Sequence, residues 1–171
     1  MVSRAKETVR SMLTARGFNT LQDHNGCIRA SKDEEEEESC LVVFLVSTPK
    51  LGVKSIREMF EGHAEETHIL LVFRDITSFA QKHLAQITGC EIETFALHQL
   101  QFDIMRHVLV PAQHAVDPKD VTQLGIRAEQ LPLILASDPV ARYYGWTRGT
   151  VTRATVASPE GHMYYEYRRV S

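Results

Sequence analysis

Two apolar runs of strand length, Leu41–Val46 (LVVFLV) and His68–Phe73 (HILLVF), constrain this chain more than any other feature. Between them Lys54–Glu61 sets Ile56, Met59 and Phe60 on one helical face. A second helical pattern, Ser78–Gln86, offers Phe79, Leu84 and Ile87 behind a Thr77 or Ser78 cap. Glu91–Ala96 then reads as a third strand, with Ile92, Thr94 and Ala96 alternating against Glu91, Glu93 and Phe95. Strands separated by more than a dozen residues with a helix between them cannot be joined as hairpins, so crossovers and a small parallel sheet follow.

Upstream, Ala5, Val9, Met12 and Leu13 make one helical stripe that Arg16-Gly17 ends. The next stretch, DHNGCIRASKDEEEEES, ends in a self-repelling acidic run, so residues 33–39 read as a solvated loop, with a peptide-like acidic contact for a basic partner as the alternative. Beyond residue 104 the pattern changes. His107–Val110 is a candidate short strand or linker ending at Pro111. Asp117-Pro118 starts a helix whose Val121 and Leu124 face a core and which Gly125 can close. Leu131–Leu135 is an edge-strand candidate because of Pro132. Thr150–Val156 and Met163–Val170 are β patterns joined by ASPEGH. The expected fold class is therefore α/β plus α+β: a parallel-containing α/β domain over 1–104 and a small β-rich domain over 105–171.

Composition narrows the function classes. With 43% apolar and 24% charged residues the chain is globular in type, and no apolar run reaches the roughly 20 residues of a membrane span. MVSRAKETVRSML has neither an apolar signal core nor a small-residue cleavage site, and three cysteines argue against a disulfide framework. Net charge is −3, and no segment carries a strongly basic stripe, so any DNA contact is local and weak. The P-loop, GxGxxG and GxSxG patterns are absent, so no cofactor is expected. His24-x-x-Cys27 lacks a second close ligand pair for zinc. Asp75, Glu91 and Glu93, with Lys82 nearby, raise a metal-dependent nuclease as one alternative, which requires those carboxylates to converge.

The segment SDPVARYYGWTRGTV, residues 137–151, holds the densest functional signal. Asp138 can cap a helix, Pro139 fits its first turn, and Gly145 can end it in the left-handed region. Val140, Tyr143 and Tyr144 crowd one side, while Arg148-Gly149 makes a tight entrance to the next strand. The exposed combination of Arg142, Tyr143, Tyr144, Trp146 and Arg148 suits a protein interface with aromatic and arginine anchors. It also admits base stacking in a free-standing nucleic-acid-binding protein. Met163, Tyr165 and Tyr167 share one face of the final strand, a pattern of core or interface.

LPLILASDPVARYYGWTRGTV, followed by SPEG and MYYEYRRV, resembles the C-terminal assembly domain of the fifth subunit shared by eukaryotic nuclear RNA polymerases, a domain with an archaeal polymerase counterpart. Gln130, Leu131, Pro132, Ile134, Asp138, Pro139, Val140, Ala141, Arg142, Tyr143, Tyr144, Gly145, Arg148, Gly149, Val151, Tyr167, Arg168 and Val170 carry the likeness. Upstream, PKLGVKSIREM and VLVPAQH are similar to segments of the same family. The resemblance implies a noncatalytic subunit of a DNA-directed RNA polymerase in a heteromeric complex. Its C-terminal domain would dock on the largest subunit and the rest of the core, and its N-terminal jaw would lie toward downstream duplex DNA. Asp138, Pro139, Arg142, Tyr143, Gly145 and Gly149 would carry over as the docking turn; Tyr144, Trp146 and Arg148 join them as interface candidates on their own chemistry, and Arg4, Arg10 and Arg16 are the candidates nearest DNA, contacting it weakly and nonspecifically. Departures in the hinge and the ASPEGH connector point to a divergent source. The implied location is the nucleus for a eukaryotic protein, or a virion or host transcription compartment for one from a large DNA virus.

Overall fold

The computed structural model describes residues 2–24, 26–32, 40–61, 63, 66–123 and 125–171. The chain divides into two units, Met1–Phe102 and Asp103–Ser171. The first runs α1 (Val2–Ala15), β1 (Thr20–His24), β2 (Cys27–Ser31), β3 (Cys40–Leu45), β4 (Lys50–Leu51), α2 (Val53–Glu61), β5 (His68–Phe73), β6 (Asp75–Ile76), α3 (Ser78–Leu84) and β7 (Glu91–Ala96). A 3-10 turn, Leu97–Leu100, closes it.

The two apolar runs are neighbouring parallel strands. The sheet order is β1-β2-β3-β5-β7, with Leu41 opposite His68 and His68 opposite Glu91 in parallel register. Both strands read as continuous apolar runs because both faces of the sheet are covered. Cys27, Val42, Phe44, Ile69 and Leu71 pack with Ile56 of α2 and with Ala80 and Leu84 of α3. Alternation turns Val43 and Leu70 to the opposite face, where α1 buries Ala5, Val9, Met12 and Leu13 and packs on the 97–100 turn. Gly17, at φ +87°, ends α1 and lets the Phe18 amide reach the Leu13 carbonyl at 3.0 Å.

The residues DHNGCIRAS, to which the sequence reading gave no element, belong to a hairpin that pairs with a neighbouring strand. β1 and β2 pair antiparallel with His24 opposite Cys27, and β2 pairs antiparallel with β3, so the sheet is mixed. Gly26, at φ +88°, supplies the backbone that a tight reversal needs, and Ile28 and Ala30 are buried. The acidic run 33–39 lies outside the described residues, as does Leu124. On α3, Thr77 is the cap and accepts from the Ala80 amide at 3.2 Å. Phe79 is 81% exposed rather than in the core, because Ala80 and Leu84, four residues apart, form the buried stripe.

The second unit opens with a 3-10 turn, Ile104–Arg106, and continues β8 (Gln113–Val116), α4 (Pro118–Gln123), a 3-10 turn Ala128–Gln130, β9 (Leu133–Ile134), α5 (Pro139–Tyr144), β10 (Val151–Ala157) and β11 (Met163–Val170). The strand order is β8-β10-β11-β9, antiparallel except for β11 with β9. The candidate strand at 107–110 is a turn instead, and the strand follows Pro111 at β8. Asp117 begins α4 as expected, accepting from the Lys119 amide at 2.8 Å, and Gly125 follows at φ +76°. Val121, Leu131 and Val151 form a small core with Val116, Ala128 and Tyr167 against it. β9 is an edge strand, the place Pro132 allows.

Candidate functional site

The segment around Asp138 folds as its residues dictate. The Asp138 carboxylate accepts from the Val140 amide at 2.8 Å and Pro139 occupies the first turn. Gly145 sits at φ +67°, its amide bonds the Arg142 carbonyl at 3.2 Å, and the Trp146 amide reaches the Ala141 carbonyl at 2.9 Å. This is a Schellman closure, which needs a left-handed residue after the helix. Gly149, at φ +92°, then bonds the Val170 carbonyl at 2.9 Å and ties the turn to β11. Because an L-residue in the left-handed region costs about 1–2 kcal/mol, Gly145→Ala should lower stability by about that much in chemical denaturation. An unchanged midpoint would contradict the closure described here.

The helix presents two kinds of side chain. Val140, Ala141 and Tyr143 are buried, whereas Arg148 and Gly149 are exposed and Arg142, Tyr144 and Trp146 lie half-buried between. Tyr144 stacks on Trp146 with centroids 4.7 Å apart and planes 11° apart, and Tyr143 meets Tyr144 edge-on at 5.4 Å. One face of each stacking ring is therefore used within the turn. That leaves a rigid aromatic edge flanked by cations rather than a row of open base platforms. Of the aromatic residues singled out in this segment, Tyr143 belongs to the core and not to the exposed rim.

Burial and the nearby Asp103 carboxylate both raise the Tyr143 phenol above its ordinary value, and a side-chain hydrogen bond joins the two groups. Sequence reasoning passed over Asp103. Its local signal was an aspartate ahead of Ile104 and Met105, and the structure shows it accepting from the Met105 amide at 3.0 Å. Nothing local connected it to Tyr143.

The three N-terminal arginines have different surroundings. Arg4 is exposed. Arg10 is exposed and 2.6 Å from Asp23, which also holds Lys6 at 3.0 Å. Arg16 corrects the expectation of a DNA-facing cation: its side chain is 5% exposed and grips both oxygens of Glu93, at 2.6 and 2.7 Å. His68 reaches the same carboxylate at 2.8 Å. Burial alone would raise Glu93, but the hydrogen bonds from His68 and Arg16 outweigh it and hold the carboxyl at about 2.

That pin also bears on the nuclease alternative. Both Glu93 oxygens are engaged, Glu91 lies beside the start of β5, and Asp75 follows its end. At about 3.3 Å per residue, Glu91 and Asp75 are on the order of 20 Å apart. The carboxylates do not converge, and Lys82 is exposed on α3. Among the described residues no three His, Cys, Asp or Glu side chains group to hold a metal, and no helix is long and apolar enough to cross a membrane.

The tyrosine-rich strand divides between the two settings named for it, core and exposed face. Tyr167 packs on the small core, but Met163, Tyr164 and Tyr165 are exposed. β8 pairs only as far as Ala154 and β9 only with Arg169 and Val170, so the outer half of the β10–β11 hairpin has no flanking strand among the described residues. The Arg153 guanidinium lies over the Tyr165 ring at 4.7 Å there.

Comparison with known proteins points in one direction. The family model described as RNA polymerase Rpb5, C-terminal domain, matches residues 102–170. Among curated proteins, the chain is 32% identical over 146 residues to the DNA-directed RNA polymerases I, II, and III subunit rpabc1 of Dictyostelium discoideum, covering 79% of this chain and 74% of that one. It is 31% identical over 137 residues to the DNA-directed RNA polymerase subunit 5-like protein 1 of Arabidopsis thaliana, and 28% over 138 residues to subunit RPABC1 of Caenorhabditis elegans. It spans 65% of the length of each of these two.

Proposed function

The chain belongs to the Rpb5 family of RNA polymerase subunits, which is noncatalytic, and from that premise we propose that it docks on the largest subunit of a DNA-directed RNA polymerase through the turn around α5. The observation that carries the proposal is the preorganised turn: capped at both ends, anchored on β11, with Arg142, Tyr144, Trp146 and Arg148 at its rim. Such a surface loses little side-chain freedom on binding and places aromatic and arginine anchors where interfaces concentrate energy. Asp138, Pro139, Gly145 and Gly149 act through the backbone shape they impose. A photo-crosslinking residue in place of the exposed Arg148 should capture the largest subunit. Capture of a different core subunit would overturn the assignment of the partner.

The N-terminal unit then serves as the jaw near downstream duplex DNA. With Arg16 committed to Glu93, its contacts fall to Arg4, Arg10 and exposed lysines such as Lys50, Lys54 and Lys82, and the excess of acidic residues in this unit keeps them weak. Their role is nonspecific phosphate contact. Replacing Arg4 and Arg10 together by alanine should leave assembly intact and reduce the salt slope of polymerase–DNA binding by about one for each phosphate no longer neutralised. An unchanged slope would argue against these residues. The similarity to subunits shared by polymerases I, II and III favours a nuclear complex over one packaged in a virion.

A further inference from the structure

We propose that Asp103 is a positioning residue that joins helix α5 to the apolar turn carrying Val108 and Leu109, making one composite face for the polymerase core. The inference rests on the docking reading above and extends it by a second contact element. Asp103 caps the 104–106 turn through the Met105 amide, accepts the Tyr143 hydroxyl, and has Arg106 Nε at 3.6 Å. That short turn packs directly on α5. The chain then stays hydrogen-bonded: the His107 amide reaches the Ile104 carbonyl at 3.1 Å, the Leu109 amide reaches His107 Nδ1 at 3.2 Å, and the Val110 amide reaches the His107 carbonyl at 2.9 Å.

At the crest of this rigid turn Val108 is 92% and Leu109 81% exposed. They add nothing to the core of the unit, yet the backbone beneath them is held in place. A fixed pair of uncharged side chains, two residues beyond the turn that packs on α5, suits an apolar patch on the protein that α5 docks on. The docking reading above supplies that protein, and the Tyr143–Asp103 bond supplies the continuity. Only the hydroxyl of Tyr143 is needed for the link, since its ring is already packed.

Full-length variants test this against polymerase core purified without the subunit. Tyr143→Phe keeps the ring and should speed amide exchange at residues 105–110 while residues 142–146 stay protected. It should also weaken core binding about tenfold, as expected for losing a bond to a charged acceptor. Asp103→Ala should do the same, and Asp103→Asn, which retains an acceptor oxygen, should restore both. Leu109→Asp should weaken binding to a similar degree with exchange unchanged. If Leu109→Asp binds like the wild type, or Tyr143→Phe leaves exchange at 105–110 unaltered, the composite face is wrong. Should Arg142→Ala still impair binding in that event, docking through α5 survives alone. Unimpaired binding in both Arg142→Ala and Trp146→Ala would sink the docking reading itself.

Discussion

Glu93→Ala should destabilise the N-terminal unit by about 3–5 kcal/mol, the cost of breaking a buried ion pair on one side only. The reason lies in what remains. Arg16 stays with its side chain 5% exposed, and Glu93 itself is 19% exposed, so a guanidinium that has lost its carboxylate has little water to turn to. Replacing both residues, as Arg16→Met with Glu93→Leu, should be less damaging than either single change, because two apolar groups leave no unpaired charge. Equilibrium denaturation of the three variants decides it, and simple additivity would contradict the pin. The same site sets an acid limit. Glu93 falls from an ordinary 4.5 to about 2 in the folded chain, so its contribution is fully present above pH 4.5 and is lost as pH drops toward 2. The loss amounts to about 3 kcal/mol by linkage. Glu93→Gln should flatten that part of the stability–pH curve.

As anchors of the interface, Arg142 and Trp146 should each, on replacement by alanine, weaken binding to the polymerase core by about 2 kcal/mol or more, roughly thirtyfold. Neither should unfold the unit. The inward side of α5 consists of Val140, Ala141 and Tyr143, and those side chains stay in place when the rim is trimmed. Trp146 stacks on Tyr144 and supports the shape of the rim, so its removal tests rigidity together with contact area. Wild-type affinity in both variants, with unchanged denaturation midpoints, would move the interface elsewhere.

How far the sequence could be read depended on the range of the interaction. The parallel pairing of β3, β5 and β7 was legible because gap length alone excludes hairpins, and α5 was legible because Asp138, Pro139 and Gly145 act within one turn. The β1–β2 hairpin carried a visible Asn25-Gly26 signal, but the acidic run beyond it dominated the reading of that stretch. Phe79 was misplaced because α3 is so short that a shift of one residue changes which side chains meet the sheet. Arg16 and Glu93 are 77 residues apart, and no local pattern announces their pairing. The Tyr143–Asp103 link was hidden in the same way, since nothing local connects the two residues.

Affinity capture of the full chain at low salt, followed by identification of its stoichiometric partners, tests the central claim most directly. The largest polymerase subunit is expected with the wild-type chain and should be lost when Arg142 and Trp146 are both replaced by alanine. A chain that comes through alone, or a double variant that keeps the polymerase, would contradict the role given to the α5 turn.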